Sequence, residues 1–483
     1  MIKKVNRIVP IVMASVLTTG ITGCGGTAAS DNIATDNNNA TEVSSENTAY
    51  FTDKEEEITQ TQSTTEETSE DGQTSTEDTD ISARGTMPSR HTNENGLPEI
   101  LGEQDIIDVP EWDDVEIPDN EAMEFVRDLE LGWNLGNTFE AYDCANSVSD
   151  LEYESAWSNA VTTKEMIHTI SESGFNTLRI PISWHNHLVD ENYTISEDWM
   201  NRVQEIVDWA LDEDMYVIIN IHHDDGPDFI DPTYDNLESS KDFARTIWEQ
   251  IAGHFADYDE RLIFETMNEP RKVGSDIEWW IEDVESDAAK EGFECINEIN
   301  QTIVDTIRES GGEYNSSRYI LVPGYCAKAM YTAIPDFKLP DDDKATADNR
   351  LLVSIHEYTP YDFALADESE TRSVDDFSID NVDRTKEIDN FMKDMYDSFI
   401  SKGVGVVIGE FGARNKNENT EARTEFAAYY TAQARHYGMT AMWWDNNLFE
   451  GDNQNFGLLK RSDCTFVYPE IVAQMVYYSR QDK

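Results

Sequence analysis

Apolar residues in this chain gather into short runs with little polar interruption. Eight such runs follow one another between about residue 120 and the C-terminus: 131–135, 177–181, 216–222, 262–267, 319–323, 351–356, 404–410 and 440–444. Runs of this length, rich in Ile, Val and Leu, predict strands covered on both faces. The stretches between them, such as 197–212, 240–254, 292–310 and 389–401, carry apolar residues at helical spacing instead. Buried strands alternating with amphipathic helices imply a parallel sheet with helices on its outer face. Eight units predict an α/β fold of the (β/α)8 TIM-barrel type, built from 119–483 as one domain. That is longer than the ~250 residues typical of such barrels, so the excess is expected in loops at the mouth.

The N-terminal quarter has another pattern. Lys3, Lys4 and Arg7 precede an apolar run from Ile8 to Leu17, and small residues then lead to Ile21-Thr22-Gly23-Cys24. This is the layout of a secretory signal, too short to span a bilayer comfortably. The ITGC box followed by two glycines resembles a bacterial lipoprotein cleavage site, which implies a signal peptide over 1–23 and lipidation at Cys24. Residues 24–118 are expected to form a disordered acidic linker with no fold of its own: about 27–90 are Ser, Thr, Asn, Asp, Glu and Gln with almost no aliphatics, and the proline-punctuated stretch to 118 is left free to lie along the folded domain. Localisation on the extracellular face of a bacterial membrane, lipid-anchored or secreted, follows as an expectation, with contact to the membrane only through the N-terminal lipid.

Charge narrows the partners. With 98 acidic against 35 basic residues, the net charge is −63. Nucleic acid and anionic lipid surfaces repel such a chain, whereas a neutral polymer does not. Cys144, Cys295, Cys326 and Cys464 are scattered without a CxxC pair, which disfavours a structural zinc or redox site and leaves their disulfide state open.

In a parallel barrel the chemistry sits where strands run out at their C-terminal ends. Those ends carry Arg179 and Trp184, then His222-His223-Asp224, then Asn268-Glu269, His356 with Tyr358, Glu410, and Trp443-Trp444-Asp445. Singly each has an ordinary explanation, as a core tryptophan, a satisfied histidine or a solvated strand-end acid; six strands ending this way indicate one site. Glu269 and Glu410, from the fourth and seventh strands, face each other across the mouth, as the two carboxyls of a glycosidase do. Arg179 and Tyr358 suit a group that must stay ionised, and tryptophan rings suit the apolar faces of sugars. His222, His223 and Asp224 do not suit a metal, since neighbouring strand residues point to opposite faces. There is no G-x-S-x-G nucleophile elbow, and Gly403, Gly405 and Gly409 lack dinucleotide spacing.

The ordered motifs GWNLGNT (132–138), LRIPISW (178–184), NIHHD (220–224), MNEP (267–270), HEYTP (356–360), IGEFG (408–412) and WWDN (443–446) resemble glycoside hydrolase family 5, and within it the subfamily 4 endoglucanases. The resemblance implies a retaining endo-β-1,4-glucanase acting on cellulose-type and mixed-linkage β-glucans, a monomer without metal or organic cofactor. It implies Glu269 as acid/base and Glu410 as nucleophile, with Arg179, His222, Asn268, His356, Tyr358 and Trp444 binding substrate or orienting these two. Asn268 would meet the sugar 2-hydroxyl, and one ring of the tryptophan pair would floor the subsite before the scissile bond: Trp444 with Trp443 behind it, or the reverse if the register shifts by one residue. A xyloglucanase or broad-specificity hemicellulase of the same family is the alternative. A non-catalytic sugar-binding lipoprotein would be expected to lack one of Glu269, Glu410 and Arg179, and all three are present.

Overall fold

The computed structural model describes residues 92–93, 96–144, 149–451 and 454–481. The predicted signal peptide, Cys24 and the tether up to residue 91 lie outside the described residues. Eight strands close into a barrel in chain order, each parallel to its neighbours. They are β1 (Leu131–Leu135), β2 (Thr177–Ile180), β3 (Tyr216–Asn220), β4 (Leu262–Glu265), β5 (Ile320–Pro323), β6 (Leu351–His356), β7 (Val406–Phe411) and β8 (Thr440–Asp445). The helices are α1 (Glu121–Asp128), α2 (Lys164–Glu172), α3 (Glu197–Asp212), α4 (Leu237–His254), α5 (Asp287–Glu309), α6 (Ala329–Thr332), α7 (Tyr361–Ala364), α8 (Val382–Ser398), α9 (Thr420–His436) and α10 (Pro469–Ser479). A small hairpin, β9 (Leu459–Lys460) and β10 (Thr465–Phe466), precedes α10. Side chains of Asn120, Thr163, Ser196 and Ser286 accept a backbone N–H in the first turns of α1, α2, α3 and α5, which fixes where those helices begin.

Helix α1 closes the N-terminal end of the barrel. Its Phe125 and Val126, with Leu129 just past its end, form one buried apolar cluster with Ile218, Ile263, Leu321, Leu352, Val407 and Met442 from the strands. Gly132 belongs to this layer because a Cβ there would stand 2.3 Å from Met442 Cγ. Strand side chains alternate between faces, so the next interior position on each strand lies two residues on. On β1, β3, β4, β6 and β8 those positions hold Asn134, Asn220, Glu265, Ser354 and Trp444, joined by Arg179 of β2, all buried. The interior thus passes from an apolar plug to a polar layer directly beneath the mouth.

Several expectations are corrected in detail. Strand β3 stops at Asn220 and β4 at Glu265, so His222, Asn268 and Glu269 stand on the loops that follow. Because the strand has ended, strict alternation no longer separates His222 from His223, and their rings meet edge to face at 4.4 Å. The tether does not run to residue 118. Leu97 and Leu101 are buried, and Ile106, Trp112 and Ile117 pack against the core. The Ile107 N–H donates to Gln474 Oε1 of α10 at 3.0 Å, and the Trp112 ring meets Tyr429 of α9 edge-on at 5.6 Å. Apolar residues spaced among the acids give this strap enough buried surface to lie along α9 and α10. Cys144, Cys295, Cys326 and Cys464 are free thiols. Among the described residues no helix is long and apolar enough to cross a membrane.

Candidate active site

The site is assembled around Arg179, which is fully buried on β2. Its Nε donates to Glu265 Oε2 at 2.9 Å and its Nη1 to Asn134 Oδ1 at 2.9 Å and Glu410 Oε1 at 2.8 Å. Nη2 donates to Asn268 Oδ1 at 2.8 Å. One guanidinium therefore ties β1, β2, β4 and β7 to the loop that carries Glu269. Guanidinium keeps its charge even when buried, and here the carboxylates of Glu265 and Glu410 outweigh the desolvation and raise its pKa further.

Glu410 is 5 % exposed and holds a donor on each oxygen: Arg179 on Oε1 and the Tyr358 hydroxyl on Oε2 at 2.9 Å. Burial, with Glu410 beside it, pushes the Tyr358 phenol well above its ordinary value, so it remains a donor. Glu269 receives His356 Nδ1 at 2.9 Å on Oε1. Oxygens of Glu269 and Glu410, with a His356 nitrogen, all lie within 4.8 Å of one another. Burial is the largest influence on Glu410 and pushes it up, with Glu269 adding to the rise and His356, Arg179 and Tyr358 opposing it. In Glu269 burial is outweighed by His356, and the carboxyl is held below its usual range. Two carboxyls this close titrate together, so the opposed shifts belong to the pair and not to either group alone. Burial would keep His356 neutral, but Glu410, Glu265 and Glu269 lift it to about 9.

Trp444 and His222 form one wall. Their rings lie nearly parallel, 16° apart with centroids 6.0 Å distant. Gly136 leaves room for the Trp444 ring, since a Cβ there would come within 2.9 Å of Cζ2. Trp443 points the other way, fully buried, its Nε1 donating to the Phe456 carbonyl at 3.0 Å and its ring edge-on to Phe411 at 5.3 Å. Burial and the positive groups around it hold His222 well below its ordinary value, so it is a neutral ring with Nδ1 3.2 Å from Asn220 Nδ2. All eight site residues named from the sequence for catalysis or substrate binding thus stand at the C-terminal mouth.

Sequence reasoning passed over Glu265, Asn134, Asn220 and Ser354. Glu265 offered a signal, a lone acid inside the apolar run of β4; the other three look like ordinary small polar residues until the barrel closes. Asp224 accepts the backbone N–H groups of Trp184 at 2.9 Å and His185 at 2.6 Å and so latches a loop. The one cluster of possible metal ligands among the described residues is Glu269, His356 and Glu410. It fits a cation poorly, because Arg179 already supplies positive charge to Glu410 and His356 would have to give up its proton to bind.

The family described as Cellulase (glycosyl hydrolase family 5) matches residues 139–450. Endoglucanase B of Neocallimastix patriciarum is 41% identical over 362 residues, covering 74% of this chain and 71% of that one. A GH5 family lichenase from Caldicellulosiruptor sp. F32 superposes with a TM-score of 0.75 at 48% identity, over 77% of this chain and 100% of its own. A GH5-4 broad specificity endoglucanase from Ruminococcus champanellensis, with bound cellotriose, gives a TM-score of 0.67 at 40% identity, over 75% of this chain and 100% of its own. A shared barrel alone would leave the chemistry open, but the matched sequence runs through both glutamates, and the chain belongs to glycosyl hydrolase family 5.

Proposed function

We infer that the protein is a retaining endo-β-1,4-glucanase that hydrolyses internal bonds of cellulose-type and mixed-linkage β-glucans. The observation that carries this is the pair Glu269 and Glu410, with oxygens within 4.8 Å of each other and donors on both oxygens of Glu410. Retaining enzymes hold their carboxyls ~5–5.5 Å apart, whereas inverting ones need ~6.5–9.5 Å to fit a water between. Arg179 and Tyr358 favour the ionised form of Glu410, which attacks the anomeric carbon. As that C–O bond forms, the bond to the departing sugar breaks, and Glu269 gives its proton to the leaving oxygen. Glu269, now a carboxylate, then takes a proton from water, and the hydroxide so formed displaces Glu410 from the anomeric carbon. The Asn268 amide, held through its oxygen by Arg179, has its N–H groups left for the sugar 2-hydroxyl. Trp444 offers a ring face as the floor.

The test is reducing-end release from carboxymethyl cellulose, barley mixed-linkage glucan, xyloglucan, xylan and mannan. Mixed-linkage glucan and carboxymethyl cellulose should be the best substrates, with a rapid fall in viscosity marking internal cleavage. Xyloglucan as the leading substrate would favour the hemicellulase reading, and inactivity on every polymer would remove the enzymatic one. The ITGC box supports a lipid anchor at Cys24, and with it attachment to the outer face of a bacterial membrane. Cells fed a labelled fatty acid should label the protein, and Cys24→Ala should abolish that label and release the enzyme into the medium. Label retained by the variant would rule the anchor out.

A further inference from the structure

We propose that Glu265 is a positioning residue of this reaction, a fixed carboxylate that aims Arg179 at Glu410 and holds His356 as an imidazolium against Glu269. The inference rests on the glycosidase reading above and adds a third carboxyl to it. Glu265 is fully buried and cannot touch the sugar. Its Oε2 accepts Arg179 Nε at 2.9 Å, Arg179 Nη2 at 2.7 Å and Asn220 Nδ2 at 2.9 Å. Its Oε1 accepts Ser354 Oγ at 2.7 Å and faces His356 Nε2 at 3.9 Å. Glu265 therefore binds the cation that serves Glu410 and faces the ring that serves Glu269 from its far side, while Glu410 itself stands 3.6 Å from His356 Nδ1 on the near side.

The charges around it can be counted. Strand β2 presents Arg179, β6 presents His356 and the Ser354 hydroxyl, and β3 presents Asn220 with neutral His222 beyond it. Across Arg179 stand Glu410 on β7, Asn134 on β1 and Asn268, with Glu269 next to Asn268 on its loop. Burial works against an anion at Glu265, yet Arg179, His356 and Ser354 hold it down to about 2. Arg179 Nη2 also stands 3.4 Å from His356 Nε2 and acts against the charge on that ring. With Glu265 ionised throughout the working range, the two cations meet three carboxyls. The group is neutral when the Glu269 and Glu410 pair carries one negative charge and one proton, which is the inventory that double displacement needs at its start. Without the Glu265 charge, two cations would face only that pair. Then either His356 loses its proton or the pair loses the acid.

Two readings on the same protein decide this. Imidazole resonances from histidine-labelled protein, with the His356 signal assigned by its loss in His356→Asn, give the titration of that ring without substrate. The wild type should keep His356 protonated past pH 8, and a ring that titrates near 6.5 would overturn the proposal. In Glu265→Gln, His356 should titrate about 1 pH unit or more lower, or the basic limb of kcat/KM should fall by that amount. At saturating glucan kcat should drop more than roughly 10-fold with KM nearly unchanged, as expected when an interaction made in the transition state is weakened. Glu265→Asp, which keeps the charge, should restore the titration toward the wild-type value. A folded Glu265→Gln enzyme with His356 and both limbs unmoved would reject the role. Should that variant not fold, Ser354→Ala reads the same coupling in the opposite sense. It strips a donor from Glu265 and should move His356 upward, and no movement counts against the proposal. An inactive wild type would sink the glucanase reading while leaving the His356 titration free to decide the electrostatic part.

Discussion

Replacing Glu410 with glutamine is expected to cut kcat on mixed-linkage glucan by on the order of 10⁴-fold or more, the scale seen when a covalent nucleophile is removed. The amide keeps the shape of the side chain but cannot form the glycosyl ester. It also changes what Arg179 sees, since one of its two anionic partners becomes neutral. Glu265 remains, so the guanidinium is not left alone and the fold should survive, with thermal unfolding as the control. Binding should survive as well: a cello-oligosaccharide titrated into the variant should still quench tryptophan fluorescence, given Trp444 on the wall of the site. A variant that keeps more than about a hundredth of wild-type activity would show that some other group attacks the anomeric carbon.

Glu269→Ala should lose roughly 10²–10⁴-fold on the polymer, the usual worth of a general acid. Unlike the Glu410 variant, its loss should depend on the leaving group. From a dinitrophenyl cellobioside the dinitrophenolate departs without a proton, so the first step should run and the enzyme should stall as the cellobiosyl ester of Glu410. Azide, which needs no base to attack, should then restore turnover and give the β-glycosyl azide, a product of two inversions. The pH profile supplies the sign. The acid works protonated, so activity in the wild type is lost as pH rises through its pKa, and that limb should vanish in Glu269→Ala with the activated substrate. An unaltered basic limb would assign it to His356, which loses its own proton at about 9.

The parts of this protein that read well from sequence are those that repeat locally. Eight apolar runs separated by amphipathic stretches define the barrel, because burial on both faces leaves a mark residue by residue. The alternation in Trp443-Trp444 is enough to expect one ring inside and one behind. What failed needed register across strands. Glu265 lies only three and four residues before Asn268 and Glu269, yet its role depends on Arg179, 86 residues away, and Ser354, 89 residues away. The strap at 97–118 was obscure for another reason. Its apolar residues follow no helical or strand period, and they gain a partner only once α9 and α10 exist to receive them.

Arg179 reaches Asn134, Glu265, Asn268 and Glu410 across 45, 86, 89 and 231 residues of chain. A nascent half barrel holding only β1 to β4 would contain the guanidinium and Glu265 but lack Glu410, Ser354 and His356. Its polar layer would be incompletely paired and open to water on the side where β5 to β8 belong. Joining the halves and completing that layer are then one cooperative event, dominated by contacts of long sequence separation and correspondingly slow. Recovery of hydrolysis after denaturation should therefore coincide with the last tertiary signal to return. Two separately expressed halves would have to find each other before either showed any chemistry.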